Sequence, residues 1–560
     1  MKHLFPAILL AAACRCLAAD CGATAADAAV KYEARAVWLT TLGGLDWPHT
    51  YARGAASIEQ QKAELDDILD RLQAANINIV LLQTRIRGTV IYPSQYEPWD
   101  ACMSGQPGTS PGYDPLQYAI DACHRRGMQL HAWVVAIPLG KWDGAGCKAL
   151  RKRRSDIVRR IGADGFINPE KSAAADYIAE ICAEIATRYD VDGIHLDYIR
   201  YPDTWKITVA PAKGRDYITS IVRRVALRVK SIKPWIIMSC SPVGKHDDLT
   251  LHSSRGWNAR STVCQDAQAW LREGLMDALF PMMYFRDNQF YPFAIDWAQN
   301  SYGRIVAPGL GIYFMSPKEK NWPLEVITGE MQALRSYGMG HAYFRSRFFT
   351  DDTKGIYRYA STRFTPYPAL VPPLTWESDT APQAPYDLDL SLNEHGQPCL
   401  SWQHASTDTT MTMYNVYTSR SLPVDIDDAA NLVATRVQAK SILVPHSEGR
   451  HYAVTAINRY GNESLPARDV EPSTTSISAR ISDNLLTCDG RTLHLPKKSS
   501  VLSADRLVIE TVQGRLVTVI DYIGDTVDVS RLDEGVYVVR SLWKKKTTHR
   551  LGYFAVRRSF

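Results

Sequence analysis

The stretch Tyr189-Asp190-Val191-Asp192-Gly193-Ile194-His195-Leu196-Asp197-Tyr198-Ile199-Arg200-Tyr201-Pro202 decides how this 560-residue chain is read. A short apolar strand, Gly193 to Leu196, ends in a carboxylate, a phenol and a guanidinium, and a proline closes the run. In a barrel of parallel strands the chemistry sits at the C-terminal strand ends, so this pattern predicts an active-site strand. Asp192 precedes the strand, where a turn or capping role is expected.

The flanking sequence carries the same rhythm. Strand-like runs at 34–40, 77–84, 129–135, 193–196, 236–241, 278–284, 305–310 and 341–344 alternate with amphipathic stretches such as 57–74, 115–126, 173–188, 214–230, 263–273 and 324–337. Eight such alternations predict an α/β fold, a (β/α)₈ TIM barrel over residues 32–364. A doubly wound dinucleotide fold would carry a Gly-rich phosphate turn after its first strand, and Leu39-Thr40-Thr41-Leu42-Gly43-Gly44 is not one.

Beyond the barrel, residues 365–385 are proline-rich and read as a linker. Residues 386–470 and 480–560 then alternate as short strands without helical periods, predicting two small all-β domains. At the other end, residues 1–19 read as a signal peptide: Lys2 and His3, an apolar run, then small residues before Ala19. Cys14 after three alanines keeps lipoprotein anchoring open as an alternative to cleavage near Ala19. No later stretch has the length and apolarity of a membrane helix. The chain is therefore expected to be exported: periplasmic, secreted, or associated with the cell surface or outer membrane.

A formal charge of +5 spread over this length argues against nucleic acid as a partner. The cysteines are dispersed and form no Cys-x-x-Cys, so no zinc site is expected. Cys102 and Cys147 lie in neighbouring loops, where an oxidising compartment would let them pair. No cofactor is implied.

Several blocks then point to a family. They are Glu33-Ala34-Arg35-Ala36-Val37-Trp38, Gln83-Thr84-Arg85-Ile86-Arg87-Gly88 with Tyr92-Pro93-Ser94, Tyr113-Asp114-Pro115-Leu116, Gln129-Leu130-His131-Ala132-Trp133, Ile167-Asn168-Pro169, and the opening stretch. In order and spacing this region resembles the glycoside-hydrolase-like family 10 proteins. That resemblance implies an exported TIM-barrel glycosidase acting on a β-linked, amino-sugar polysaccharide such as the glycan strands of peptidoglycan. Residues 386–470, with Trp402, Tyr452 and Asn458-Arg459-Tyr460-Gly461-Asn462-Glu463-Ser464, resemble a fibronectin type III sandwich. The last module, with Leu532-Asp533-Glu534-Gly535-Val536-Tyr537, resembles a type IX secretion sorting domain.

Asp197 is the leading catalytic carboxylate; the competing reading is a structural ion pair with Arg200. Glycoside hydrolysis ordinarily uses a second carboxylate across the bond. Strand seven, Pro308 to Tyr313, offers none, so Asp287 after strand six is the candidate, with Glu97 as runner-up. A 2-acetamido group of the substrate would be an alternative nucleophile. The expected substrate-binding set is Arg35, Gln83, Arg85, Tyr92, Glu97, His131, Trp133, Tyr198, Arg200 and Tyr284. His131 and Trp133 have a competing reading as core filling. The rival function is a carbohydrate-binding protein on a catalytically silent barrel.

Overall fold

In a computed structural model of the chain, the described residues are 29–467, apart from 396, 406–409 and 445–448, together with most of 486–556. The proposed signal peptide and Cys14 lie outside them. The chain divides into one unit up to Asp469 and a second from Val470.

The first unit opens with eight parallel strands: β1 (Arg35–Leu39), β2 (Ile79–Arg85), β3 (Gln129–Val135), β4 (Gly193–Asp197), β5 (Ile237–Cys240), β6 (Ala278–Leu279, resuming at Met282–Met283), β7 (Ile305–Val306, resuming at Gly309–Leu310) and β8 (His341–Tyr343). Each pairs in parallel with its neighbours in chain order. β8 returns to β1, where Arg35 lies opposite His341, so the ring is closed. The closure runs through the breaks in β6 and β7, whose first halves pair with each other and whose second halves continue to β8. The connecting helices are α1 (Ala55–Ala74), α2 (Pro115–Arg125), α3 (Ser172–Arg188), α4 (Pro211–Lys230), α5 (Ala267–Arg272), α6 (Tyr291–Gln299) and α7 (Leu324–Ser336), followed by shorter helical turns. Asp114 caps α2, accepting from the amides of Leu116 and Gln117, with proline at the first helical position.

Period-two alternation sends one set of side chains inward. Large rings there face residues with little or no side chain. The Trp38 indole lies where a Cβ on Gly309 would come within 2.8 Å, and the His131 ring lies 2.5 Å from one on Gly193. At mid-height Trp38, His195 and Phe280 meet edge to face. Trp38 Nε1 donates to His195 Nε2 at 3.3 Å, which leaves His195 Nδ1 as the donor to Ser239 Oγ at 3.0 Å. Burial keeps His195 far below its ordinary pKa, so it is a neutral core residue.

The proline-rich stretch after the barrel is packed along the barrel's lower end. Leu374 enters the interior cluster, Trp376 Nε1 donates to Asp277 at 2.7 Å, and Arg35 donates to the Tyr367 carbonyl. A sandwich follows. One sheet holds β9 (Tyr386–Leu392), β10 (Pro398–Gln403) and β13 (Ser441–Leu443); the other holds β11 (Met413–Ser419), β12 (Leu432–Val437) and β14 (His451–Ile457). Both are antiparallel and enclose Leu400, Trp402, Tyr414, Val416, Val454 and Ala456.

Taken alone, the second unit contains a four-stranded antiparallel sheet, 506–511, 516–521, 535–543 and 546–556, plus a pairing of 492–494 with 526–528. Leu493, Leu507, Ile509, Val539 and Phe554 form its core. The eight cysteines among the described residues are free, so Cys102 and Cys147 do not pair; both are buried.

Candidate active site

The C-terminal ends of β3, β4 and β5 converge on Asp197. Its Oδ1 accepts from Ser241 Oγ at 2.9 Å and from the Tyr198 amide at 2.7 Å, and its Oδ2 accepts from Trp133 Nε1 at 3.1 Å. Strand geometry sets this up: Trp133 and Asp197 are inward positions of β3 and β4, and Ser241 continues the inward row of Ser239 just past β5. Burial pushes the Asp197 carboxyl above its ordinary value. The Ser241 and Tyr198 hydrogen bonds, then the Arg200 charge and the Trp133 hydrogen bond, oppose that rise without cancelling it. Tyr198 takes φ = 50°, a left-handed conformation uncommon for an aromatic residue, with its amide directed at the carboxylate beside it.

Aromatic residues line the opposite side of the mouth. Tyr284 stands edge-on to Tyr313 at 5.7 Å and tilted against Phe344 at 5.3 Å, and Tyr313 continues to Phe314 at 4.1 Å. Burial, then the neighbouring Tyr313, Asp197 and Tyr198, hold the Tyr284 phenol protonated. It is therefore a neutral donor in the field of Asp197. Arg200 lies 4.4 Å from the Tyr198 ring centroid and contacts Asp203 through Nη1 at 2.5 Å. Its ion-pair partner is thus Asp203, and the competing reading of a structural ion pair between Asp197 and Arg200 is not met.

Asp197, Trp133, Tyr198, Arg200 and Tyr284 are brought together; the other predicted residues are not. Gln83 Oε1 accepts from the amides of Thr41 and Leu42 at 3.1 and 2.8 Å, tying down the loop after β1. Arg85 and Glu97 form a fully buried bidentate pair at 2.7 and 2.6 Å, with Tyr177 OH on Glu97 and the carbonyls of Val135 and Ala136 on Arg85. Neither is left to meet a sugar. Tyr92 is buried edge-on against Tyr189. His131 sits in the barrel interior against Gln129, its pKa lowered to about 4 by burial, so the core reading holds for it. Arg35 begins β1 at the opposite end, paired with Glu33 at 2.6 Å. Asp287 is exposed, lies 3.5 Å from Arg286 and has its electrostatic neighbours in Tyr291 and Glu330. It is not joined to the Asp197 cluster.

Sequence reasoning missed Ser241. The alternation Ser239-Cys240-Ser241 carried the signal, since residues two apart on a strand share a face. Among the described residues no group of three or more His, Cys, Asp or Glu is arranged to hold a metal ion.

The family model described as glycosyl hydrolase-like 10 matches residues 33–210 and 211–314, half of the chain. The chain belongs to this family. The chain is similar to glycosyl hydrolase YngK of Bacillus subtilis, 26% identical over 440 residues, 69% of this chain and 82% of that one. It is also similar to glycosyl hydrolase DigH of Escherichia coli, 28% identical over 349 residues, 54% of this chain and 78% of that one. A solved structure with this likeness is the PgaB (BpsB) glycoside hydrolase domain from Bordetella bronchiseptica, at 15% identity and TM-score 0.43, covering 59% of this chain and 99% of that one. As a glycosyl hydrolase-like 10 protein, the chain is a glycoside hydrolase on a TIM barrel.

Proposed function

We propose that this enzyme is exported and hydrolyses a β-linked, amino-sugar polysaccharide, the glycan strands of peptidoglycan being the substrate of first choice, with Asp197 as general acid. The observation that carries the reading is the setting of Asp197: a buried carboxyl with raised proton affinity at the C-terminal strand ends, facing an aromatic wall. A raised pKa keeps the acid protonated until the glycosidic oxygen requires its proton. Ser241, the Tyr198 amide and Trp133 then stabilise the carboxylate left behind. Tyr284, Tyr313 and Phe344 offer faces and edges on which pyranose rings stack, and Arg200 and Tyr198 bound the other side of the cleft. The amino-sugar preference and the peptidoglycan substrate rest on the family resemblance, and export rests on the leader-like residues 1–19.

The test is mass spectrometry of the products from peptidoglycan glycan strands, with and without stem peptides. Wild-type protein should release defined oligosaccharides. Asp197→Asn should lower turnover by about 100- to 10,000-fold while sparing sugar affinity. Binding without cleavage by the wild type, across these and other amino-sugar polymers, would favour the carbohydrate-binding reading.

A further inference from the structure

Glycoside hydrolysis ordinarily calls for a second carboxylate, and Asp287 is not joined to the Asp197 cluster, whereas another aspartate, Asp203, is linked to it through Arg200. Arg200 is nearly fully buried, and its guanidinium is fixed on three sides. Its plane covers the Tyr198 ring at 4.4 Å, its Nη1 donates to the Tyr201 carbonyl at 3.2 Å, and the same nitrogen contacts Asp203 Oδ1 at 2.5 Å. Arg200 Nε has no hydrogen-bond partner, Asp203 is the carboxylate in ion-pair contact with this buried cation, and the same charge also acts on Asp197. The Asp203 side chain is nevertheless 56% exposed. It is anchored through Oδ1. Tyr198 lies between the two carboxylates, with its amide on Asp197 and its phenol in the electrostatic field of both Asp197 and Asp203. Asp197, Tyr198, Arg200 and Asp203 therefore form one continuous chain of contacts at the mouth of β4.

We infer that Asp203 is the catalytic base that works with Asp197, an inference resting on the glycosidase reading above. The two carboxylates have different environments. Asp197 is enclosed, and burial raises its proton affinity; Asp203 is largely exposed and paired with a guanidinium. They are linked through the Tyr198 amide on Asp197, the Tyr198 ring under Arg200, and the Arg200–Asp203 contact; an acid and a separate base acting through a water give inversion. In the step, the Asp197 proton passes to the glycosidic oxygen. The C1–O bond breaks with its electron pair going to that oxygen. A water oxygen bonds to C1 from the opposite face, and its surplus proton goes to Asp203. One water is consumed, the anomeric configuration inverts, and proton exchange with solvent restores both carboxyls. Arg200 acts as a positioning residue, holding Asp203 by one oxygen.

The experiment uses the full-length chain and stem-peptide-free peptidoglycan glycan strands. Turnover is followed by product mass spectrometry and anomeric configuration by proton NMR in the first moments after cleavage. Asp203→Ala should lose about 100- to 10,000-fold in kcat with KM little changed. Sodium azide should restore part of that rate and give a glycosyl azide of inverted configuration. Asp203→Asn should also be impaired, with a circular-dichroism spectrum at the assay temperature like the wild type's. Azide should not rescue Asp197→Asn, because the leaving group still lacks its proton. A fully active Asp203→Ala beside an inactive Asp197→Asn would overturn the role of Asp203 and leave the glycosidase reading intact. Products of retained configuration would also overturn it. A wild type that binds these strands and other amino-sugar polymers but cuts none would overturn both.

Discussion

Each of the three hydrogen bonds on Asp197 favours the ionised carboxylate, so each lowers the pKa that burial raises. Removing the hydroxyl in Ser241→Ala should raise that pKa further. A general acid must be protonated to work, so the alkaline limb of kcat/KM should move to higher pH in this variant, and in Trp133→Phe by the same logic. Unmoved limbs in active variants would show that Asp197 is not the acid. Asp287→Asn should leave kcat and KM unchanged, because that side chain points into solvent beside Arg286. Asp197 was readable from sequence because it ends an apolar strand, where alternation and barrel architecture agree. Arg35 misled because it lies at the start of β1, the wrong end of the barrel. Asp287 misled because closeness to β6 along the chain does not give the direction of the turn, in which Asp287 takes φ = 54°.

At the scale of elements, the alternation that finds the barrel strands fails where a strand is irregular. The register between β2 and β3 shifts between Gln83 and Arg85, so Arg85 does not continue the row that Gln83 defines. It turns instead to Glu97 and to the carbonyls after β3, fastening two loops together below the surface. Sequence gives the charges of such a pair but not that each is satisfied by the other. Arg85→Ala should destabilise the barrel by about 3–5 kcal/mol, since it leaves Glu97 buried without its partner. Arg85→Met combined with Glu97→Leu should recover much of the loss in denaturant unfolding, whereas additive losses would contradict a mutually neutralising pair. The break in β6 and β7 is a second irregularity: eight strands are legible in the sequence, but the two-part pairing that closes the ring is not.

For the unit formed by barrel and sandwich, the deciding feature is an ionic cluster where β4 begins. Asp192 is buried, accepts from the Leu130 amide at 2.9 Å and from His124 Nε2 at 2.8 Å, and is contacted by Arg436 from β12. Arg459, just past β14, forms a bidentate pair with Asp190 at 3.1 and 2.6 Å. In place of the turn or capping role expected of it, Asp192 fastens the sandwich beneath the barrel. Sequence could not reveal it, because the partners are 244 residues apart. Arg436, then His124 and Arg459, hold the Asp192 carboxyl well below its ordinary value against the opposing effect of burial. A carboxylate with a depressed folded pKa stabilises the native state fully above its unfolded value, about 3.9, and that contribution fades as the pH falls toward the folded value. Asp192→Asn should therefore lower the melting temperature at neutral pH and flatten its dependence on pH below about 4. Arg436→Ala, which leaves the carboxylate in place but removes a charge from it, should cost about 3–5 kcal/mol at neutral pH, and the cost should shrink on acidification as Asp192 takes up a proton. Because the barrel and the sandwich share these groups, residues 29–467 should melt in a single calorimetric transition in the wild type. Separation into two transitions at neutral pH in Arg436→Ala with Arg459→Ala would identify the cluster as the coupling between them, and two transitions already present in the wild type would refute that role.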